Sequence, residues 1–168
     1  MAAAFLLIKT RQNAYDLARA ISEAQETIWA SPAYGPYGVV AYAKGATHAE
    51  VTSFIEEMRV RPDVVELDAR MCKHIPGDDS LPRLEVSRHE LAMLLINVDH
   101  RQVKERDVVY SLRKMKQVRL ARAMWGPADI IAIVEARDHE NMRNLICDDI
   151  KLIIGVTSNT TLYCYPPR

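Results

Sequence analysis

The chain has 168 residues, 49% of them hydrophobic and 26% charged, and its 22 basic side chains are balanced by 22 acidic ones. That length holds one ordinary domain or two small ones, and zero net charge gives the chain as a whole no general attraction for nucleic acid or membrane. Cys72, Cys147 and Cys164 are odd in number and widely spaced. They fit neither a zinc pattern nor a disulfide framework and suit a reducing, cytoplasmic setting.

Residues 2–8 are apolar but too few to span a membrane, and they lack the basic leader of a signal peptide. They read as a first strand. Asn13 is a good helix N-cap, and Leu17, Ile21, Ala24 and Ile28 follow at helical spacing. Residues 29–34 read as a strand in which Pro32 forces an edge or a bulge. A turn at Gly35, Pro36, Tyr37 and Gly38 leads into a strand over 39–43. Thr47 and Glu50 form a capping box for a helix that buries Val51, Phe54, Ile55 and Met58. Val65, Leu67, Ala69 and Met71 then alternate with charged residues, as in a half-exposed strand. The order is β-α-β-β-α-β, over residues 1–76.

Residues 75–87, rich in Pro, Gly, Asp and Ser, read as a linker, placed at 77–88, with Asp78 and Asp79 solvated. The pattern then repeats over 89–168. An apolar strand covers 89–98, and a helix carries Val103, Val108, Leu112 and Met115. A hairpin spans 118–136 around Gly126, Pro127, Ala128 and Asp129. Asp138 caps a last helix that buries Met142, Leu145, Ile146 and Ile150 and places Cys147 near the core. A Thr-rich strand ends the chain. A shift of 91 residues pairs Gly35 with Gly126, Ala41 with Ala132, His48 with His139, Val65 with Val156 and Pro76 with Pro167, without a gap. Such self-similarity indicates a duplicated unit. The expected fold is α+β: two tandem ferredoxin-like (βαββαβ) units packed sheet to sheet, as in a dimeric α+β barrel, because the second face of each sheet is also apolar.

The second half resembles the effector-binding and oligomerisation domain of the Lrp/AsnC regulators. The residues that carry the likeness are the hairpin Gly126-Pro127-Ala128-Asp129-Ile130-Ile131, the helix start Asp138-His139-Glu140 and the strand Gly155-Val156-Thr157-Ser158-Asn159-Thr160-Thr161-Leu162. The first half resembles the same domain less closely, with Gly38 where Asp is usual. Regulators of this family usually carry an N-terminal helix-turn-helix, whereas this chain starts directly with a strand. The resemblance therefore implies a stand-alone tandem sensor. Its ligand would be an amino acid or related metabolite bound near the Gly-x-x-Asp turn. It would form a homo-oligomer, and a DNA-binding relative is a possible partner in transcription regulation. Some siroheme-trimming enzymes resemble the same family, so a haem- or siroheme-modifying enzyme is the alternative.

In the turn, Gly126 and Ala128 can offer backbone N–H groups to a carboxylate, and Asp129 can accept from an ammonium; equally, Asp129 can simply stabilise the turn. Tyr34 and Tyr37 can line an apolar pocket in the first half. Strand alternation sets Ser158 and Thr160 on one face, as ligand contacts or merely as good strand formers. Eight Lys and Arg residues between 101 and 122 form a basic run, read as the solvated side of a helix because no aromatics interleave for base stacking. The five histidines do not pair at zinc-ligand spacing. No catalytic constellation, metal site or cofactor is expected.

Overall fold

The computed structural model describes residues 1–78 and 89–165. They fall into two compact units, Met1–Cys72 joined by Cys164 and Tyr165, and Lys73–Tyr163. The first unit runs β1 (Ala2–Thr10), α1 (Ala14–Ser22), β2 (Thr27–Tyr34), β3 (Val39–Gly45), α2 (His48–Arg59) and β4 (Val64–Met71). Its strands lie in the order β4-β1-β3-β2. On β1, Leu6 faces Ala41 of β3 on one side and Ala69 of β4 on the other, both antiparallel. Alternation sends Leu6 and Ile8 to the helical side, where they pack with Leu17, Ile21, Phe54 and Met58. The intervening Phe5 and Tyr42 are also buried, with ring centroids 4.7 Å apart.

The caps act as the sequence predicts, but the first helix is shorter than its apolar spacing suggests: α1 ends at Ser22, Ala24 lies beyond it and Ile28 belongs to β2. Asn13 accepts from the Tyr15 N–H at 2.9 Å. Thr47 accepts from the Glu50 N–H at 3.2 Å, and the Glu50 carboxylate accepts from the Ala46 N–H at 2.8 Å. Pro32 sits in β2, the outer strand of this unit. It donates nothing to the ladder, but its carbonyl accepts from the Tyr165 N–H at 2.9 Å.

The second unit repeats the order: β5 (Glu90–Val98), α3 (Glu105–Arg113), β6 (Val118–Ala123), β7 (Ile130–Ala136), α4 (His139–Asn144) and β8 (Val156–Cys164), in sheet order β8-β5-β7-β6. Leu94, Ile96, Leu112, Ala132, Met142 and Ile150 belong to its own core. Each unit is a ferredoxin-like α+β fold.

Equivalent backbone hydrogen bonds recur inside each unit and fix how the two sequences correspond. Gly38 N–H donates to Ile8 and Asp129 N–H to Ile96; Lys44 N–H donates to Glu26 and Glu135 N–H to Gln117. The hairpins thus match at an offset of 91. The match slips by one after the last helix, because Val64 N–H donates to Arg61 in one unit and Val156 N–H to Ile153 in the other. The cause lies in the helix itself. Where α2 is regular, α4 runs into a π-helical segment, Leu145–Ile150, closed by an i→i+5 bond from Lys151 N–H to Ile146 at 3.1 Å. A π turn absorbs one extra residue. Val65 therefore does not pair with Val156 as the ungapped shift predicts, and the proposed Pro167 match lies outside the described residues. Cys147 sits in this widened turn and is exposed rather than near the core.

The sequence reads residues 73–76 with the first unit and Asp78 as solvated. In the structure Ile75 packs in the core of the second unit, and Asp78 is 2% exposed. The Asp78 carboxylate pairs with the Arg113 guanidinium and with Arg122 Nη2 at 3.2 Å, and accepts from the Ile75 N–H at 2.8 Å. A buried acid is tolerable because two cations and a backbone donor replace its water. Two arginines of the basic run are thereby removed from its surface. Of the linker assigned to 77–88, residues 79–88 lie outside the described residues.

Candidate functional site

The β6–β7 turn is set by Gly126, whose φ of 137° lies in the region that favours glycine; Gly35 holds the matching place at 139°. The turn brings Asp129 against the end of β5. One carboxylate oxygen accepts from the Val98 N–H at 2.9 Å, and the other lies 2.8 Å from His100 Nε2. The His100 side chain is 59% exposed and that of Asp129 21%. Asp129 therefore fastens the strand end and orients an exposed imidazole. Ala128 beside it is buried.

Ser158 comes to the same end of the sheet. Asn97 donates through Nδ2 to Ser158 Oγ at 3.0 Å, and Thr157 Oγ1 donates to the Asn97 carbonyl at 3.2 Å. Thr160 lies two residues further along β8 and is exposed. Gly126, Asp129 and Ser158 are thus gathered near the C-terminal end of β5. Tyr34 and Tyr37 belong to the first unit. Tyr34 is 69% exposed. Tyr37 is half-buried, donates to Asp68 at 3.4 Å and has the Lys9 ammonium 5.9 Å from its ring centroid.

Sequence reasoning missed a second polar feature, at the opposite end of the same sheet. A cleft of about 490 Å³ opens between the start of β6, the end of β7 and α4 with its π-helical extension. At its floor Glu135 is 6% exposed. One Glu135 oxygen lies 2.5 Å from His89 Nδ1, and the other pairs with the Arg119 guanidinium. Lys116, Arg137 and Asp149 also line the cleft. The signal in the sequence was the single acid in the otherwise apolar stretch 130–136. Among the described residues no group of three or more His, Cys, Asp or Glu is placed to hold a metal ion, and no helix is long and apolar enough to cross a membrane.

No curated protein matches the chain. Among solved structures, FFRP-DM1 matches 45% of this chain and 99% of its own, at 24% identity and a TM-score of 0.43. A putative chlorite dismutase, TA0507, covers 99% of this chain and 95% of its own, at 12% identity and a TM-score of 0.59. The siroheme decarboxylase NirDL covers 96% and 70%, at 11% identity and a TM-score of 0.63. The last two share the fold over almost the whole chain. The Lrp/AsnC ligand binding domain family matches residues 91–165. The second unit, with its Gly-x-x-Asp hairpin and Thr-rich last strand, is thus the part of the chain that is similar to the Lrp/AsnC ligand binding domain.

Proposed function

We propose that this chain is a regulatory protein that binds a small, amino-acid-like metabolite through its second unit and responds by changing its assembly. The carrying observation is the family match over residues 91–165. The proposed contacts are the turn backbone at Gly126 and Ala128, the Ser158 and Thr160 hydroxyls, and His100 as Asp129 presents it. The first unit is read as a diverged copy. Gly38 stands where Asp129 stands in the second, and Tyr34 and Tyr37 offer an apolar surface there, so one site per chain is the expectation. A ligand that binds one assembly more tightly than another shifts the population by that difference in affinity. The partner is a second copy of this chain or a DNA-binding relative with the same domain.

The test combines a thermal-shift screen against the twenty amino acids with gel filtration at several protein concentrations. A native-state ligand raises the melting temperature by mass action, by about 2.7 kcal/mol of stabilisation at a hundredfold excess over Kd. The expected result is a shift with one amino acid, a matching change in elution, and loss of both in His100→Ala. Unchanged melting and elution in every condition would sink the reading.

A second reading, a tetrapyrrole-modifying enzyme, draws on the whole-chain fold likeness to a siroheme decarboxylase. A visible absorption band after adding haem or siroheme, with no response to amino acids, would favour it instead.

A further inference from the structure

The cleft above Glu135 uses none of the residues of the Gly126–Asp129 end. Its charges are arranged at cost. A carboxylate at 6% exposure gives up most of its water, and pairing with His89 and Arg119 offsets that loss. The fold does not demand this arrangement. At the matched positions of the first unit Glu135 is replaced by Lys44, Arg119 by Ile28 and Arg137 by Ala46, and the same six elements still form. The one residue by which the two last helices differ also falls here. Asn144, Leu145 and Asp149, from α4 and its π-helical segment, line this cleft, and such insertions gather at functional sites.

The groups facing the cleft come from every element around it. Lys116, Arg119, Arg137 and His89 are basic; Glu135 and Asp149 are acidic. The two Glu135 oxygens pair with His89 and Arg119, and among the described residues of the lining Asp149 is the one further acid beside Lys116 and Arg137, so these residues carry an excess of positive charge.

We propose that this cleft is a binding site for a small organic oxyanion, a carboxylate or phosphate group held by Lys116 and Arg137 above the Arg119–Glu135 pair. Glu135 is a positioning residue that fixes Arg119 and His89 beneath it. The site stands apart from the amino-acid reading and does not depend on it.

The experiment is isothermal titration of the full chain at low ionic strength with citrate in one arm and inorganic phosphate in the other. Three variants accompany the natural chain: Lys116→Ala/Arg137→Ala at the cleft rim, Lys104→Ala/Lys151→Ala on exposed surface outside it, and Asp129→Asn at the far end of the sheet. The expected result is binding of at least one anion, weakened at least tenfold by the rim variant and unchanged by the other two. Citrate alone would identify a carboxylate site, and phosphate alone a phosphate site. No binding of either anion to the natural chain overturns the proposal. So does equal weakening by the surface variant, which would mean a general charge effect, and so does full binding by the rim variant. None of these outcomes bears on an amino-acid response at the other end.

Discussion

Asp129 shows how one side chain can serve two readings. In sequence it is a turn residue able to accept from a ligand. In the structure both carboxylate oxygens have protein partners, the Val98 N–H and the His100 ring. Val98 is only 7% exposed, so its N–H has little water to fall back on. Leaving such a donor unmet costs about 1–3 kcal/mol. Asp129→Ala should therefore melt several degrees lower, at about 2–4 °C per kcal/mol for a chain of this size. Asp129→Asn keeps an acceptor and should lose less. Equal melting of Asp129→Ala and the natural chain in a thermal denaturation series would remove the structural role. Asp78 and Glu135 make the complementary point: both are acids that composition assigns to the surface, and both are buried because arginines distant in sequence reach them.

Helix ends and helix interiors carry different information. Asp138 caps α4 by accepting from the Asn141 N–H at 2.9 Å and from the Asn141 side chain at 2.8 Å. Those bonds, the backbone one first, hold its carboxyl below the usual carboxylate range. The folded value is thus the lower one. The stabilisation is complete above the unfolded value of about 3.9 and is lost as pH falls through the folded value. Melting temperatures between pH 2 and 7 should show Asp138→Ala below the natural chain at neutral pH, with the gap closing below about pH 4. The π-helical segment behaves oppositely, because its extra residue satisfies no local rule. Deleting the exposed Cys147 should let a regular helix form, as in α2, and leave a folded chain within about 1–2 kcal/mol of the original. Deleting Ser53 from the regular α2 should rotate its buried face away from the sheet and abolish cooperative unfolding. Circular dichroism melts of the two deletions decide the matter; equal damage by both would mean that the extra residue is not surplus to the helix.

At the scale of the whole molecule, two units with the same strand order carry separate cores, one around Leu6, Ile21 and Phe54, the other around Leu94, Leu112 and Ile150. Ile8 and Ile96 occupy matched places in β1 and β5, and each carbonyl accepts from the following hairpin turn. Ile→Val at either should cost about 0.5–1.5 kcal/mol. Because the two residues share no core cluster, the double variant should equal the sum within about 0.5 kcal/mol. A larger interaction energy in denaturant titrations would mean that the cores are coupled. The divergence between the units has the same organisation. Apolar and turn positions agree, while Asp129, Glu135 and Arg119 have Gly38, Lys44 and Ile28 as their counterparts at an offset of 91, so the polar groups of the candidate sites are not repeated in the first unit.

What the sequence by itself determined were the properties that neighbours along the chain settle. These were the type and order of the elements, the caps at Asn13, Thr47 and Asp138, the positive-φ glycines of the hairpins and the ferredoxin-like class. Each depends on side-chain period or on a bond spanning a few residues. The tertiary structure alone decided which polar groups meet. His89 and Glu135 are 46 residues apart, Asp78 and Arg113 35, and Asp129 and His100 29, and no local pattern encodes such encounters. It alone also decided where the repeat slips, since one extra residue in a helix changes the bonding of a turn without disturbing the apolar spacing around it. The hairpin end of the candidate site was legible because a turn advertises itself in Gly and Asp. The cleft was not, because its floor is a single acid in an apolar strand whose meaning depends on partners brought there by the fold.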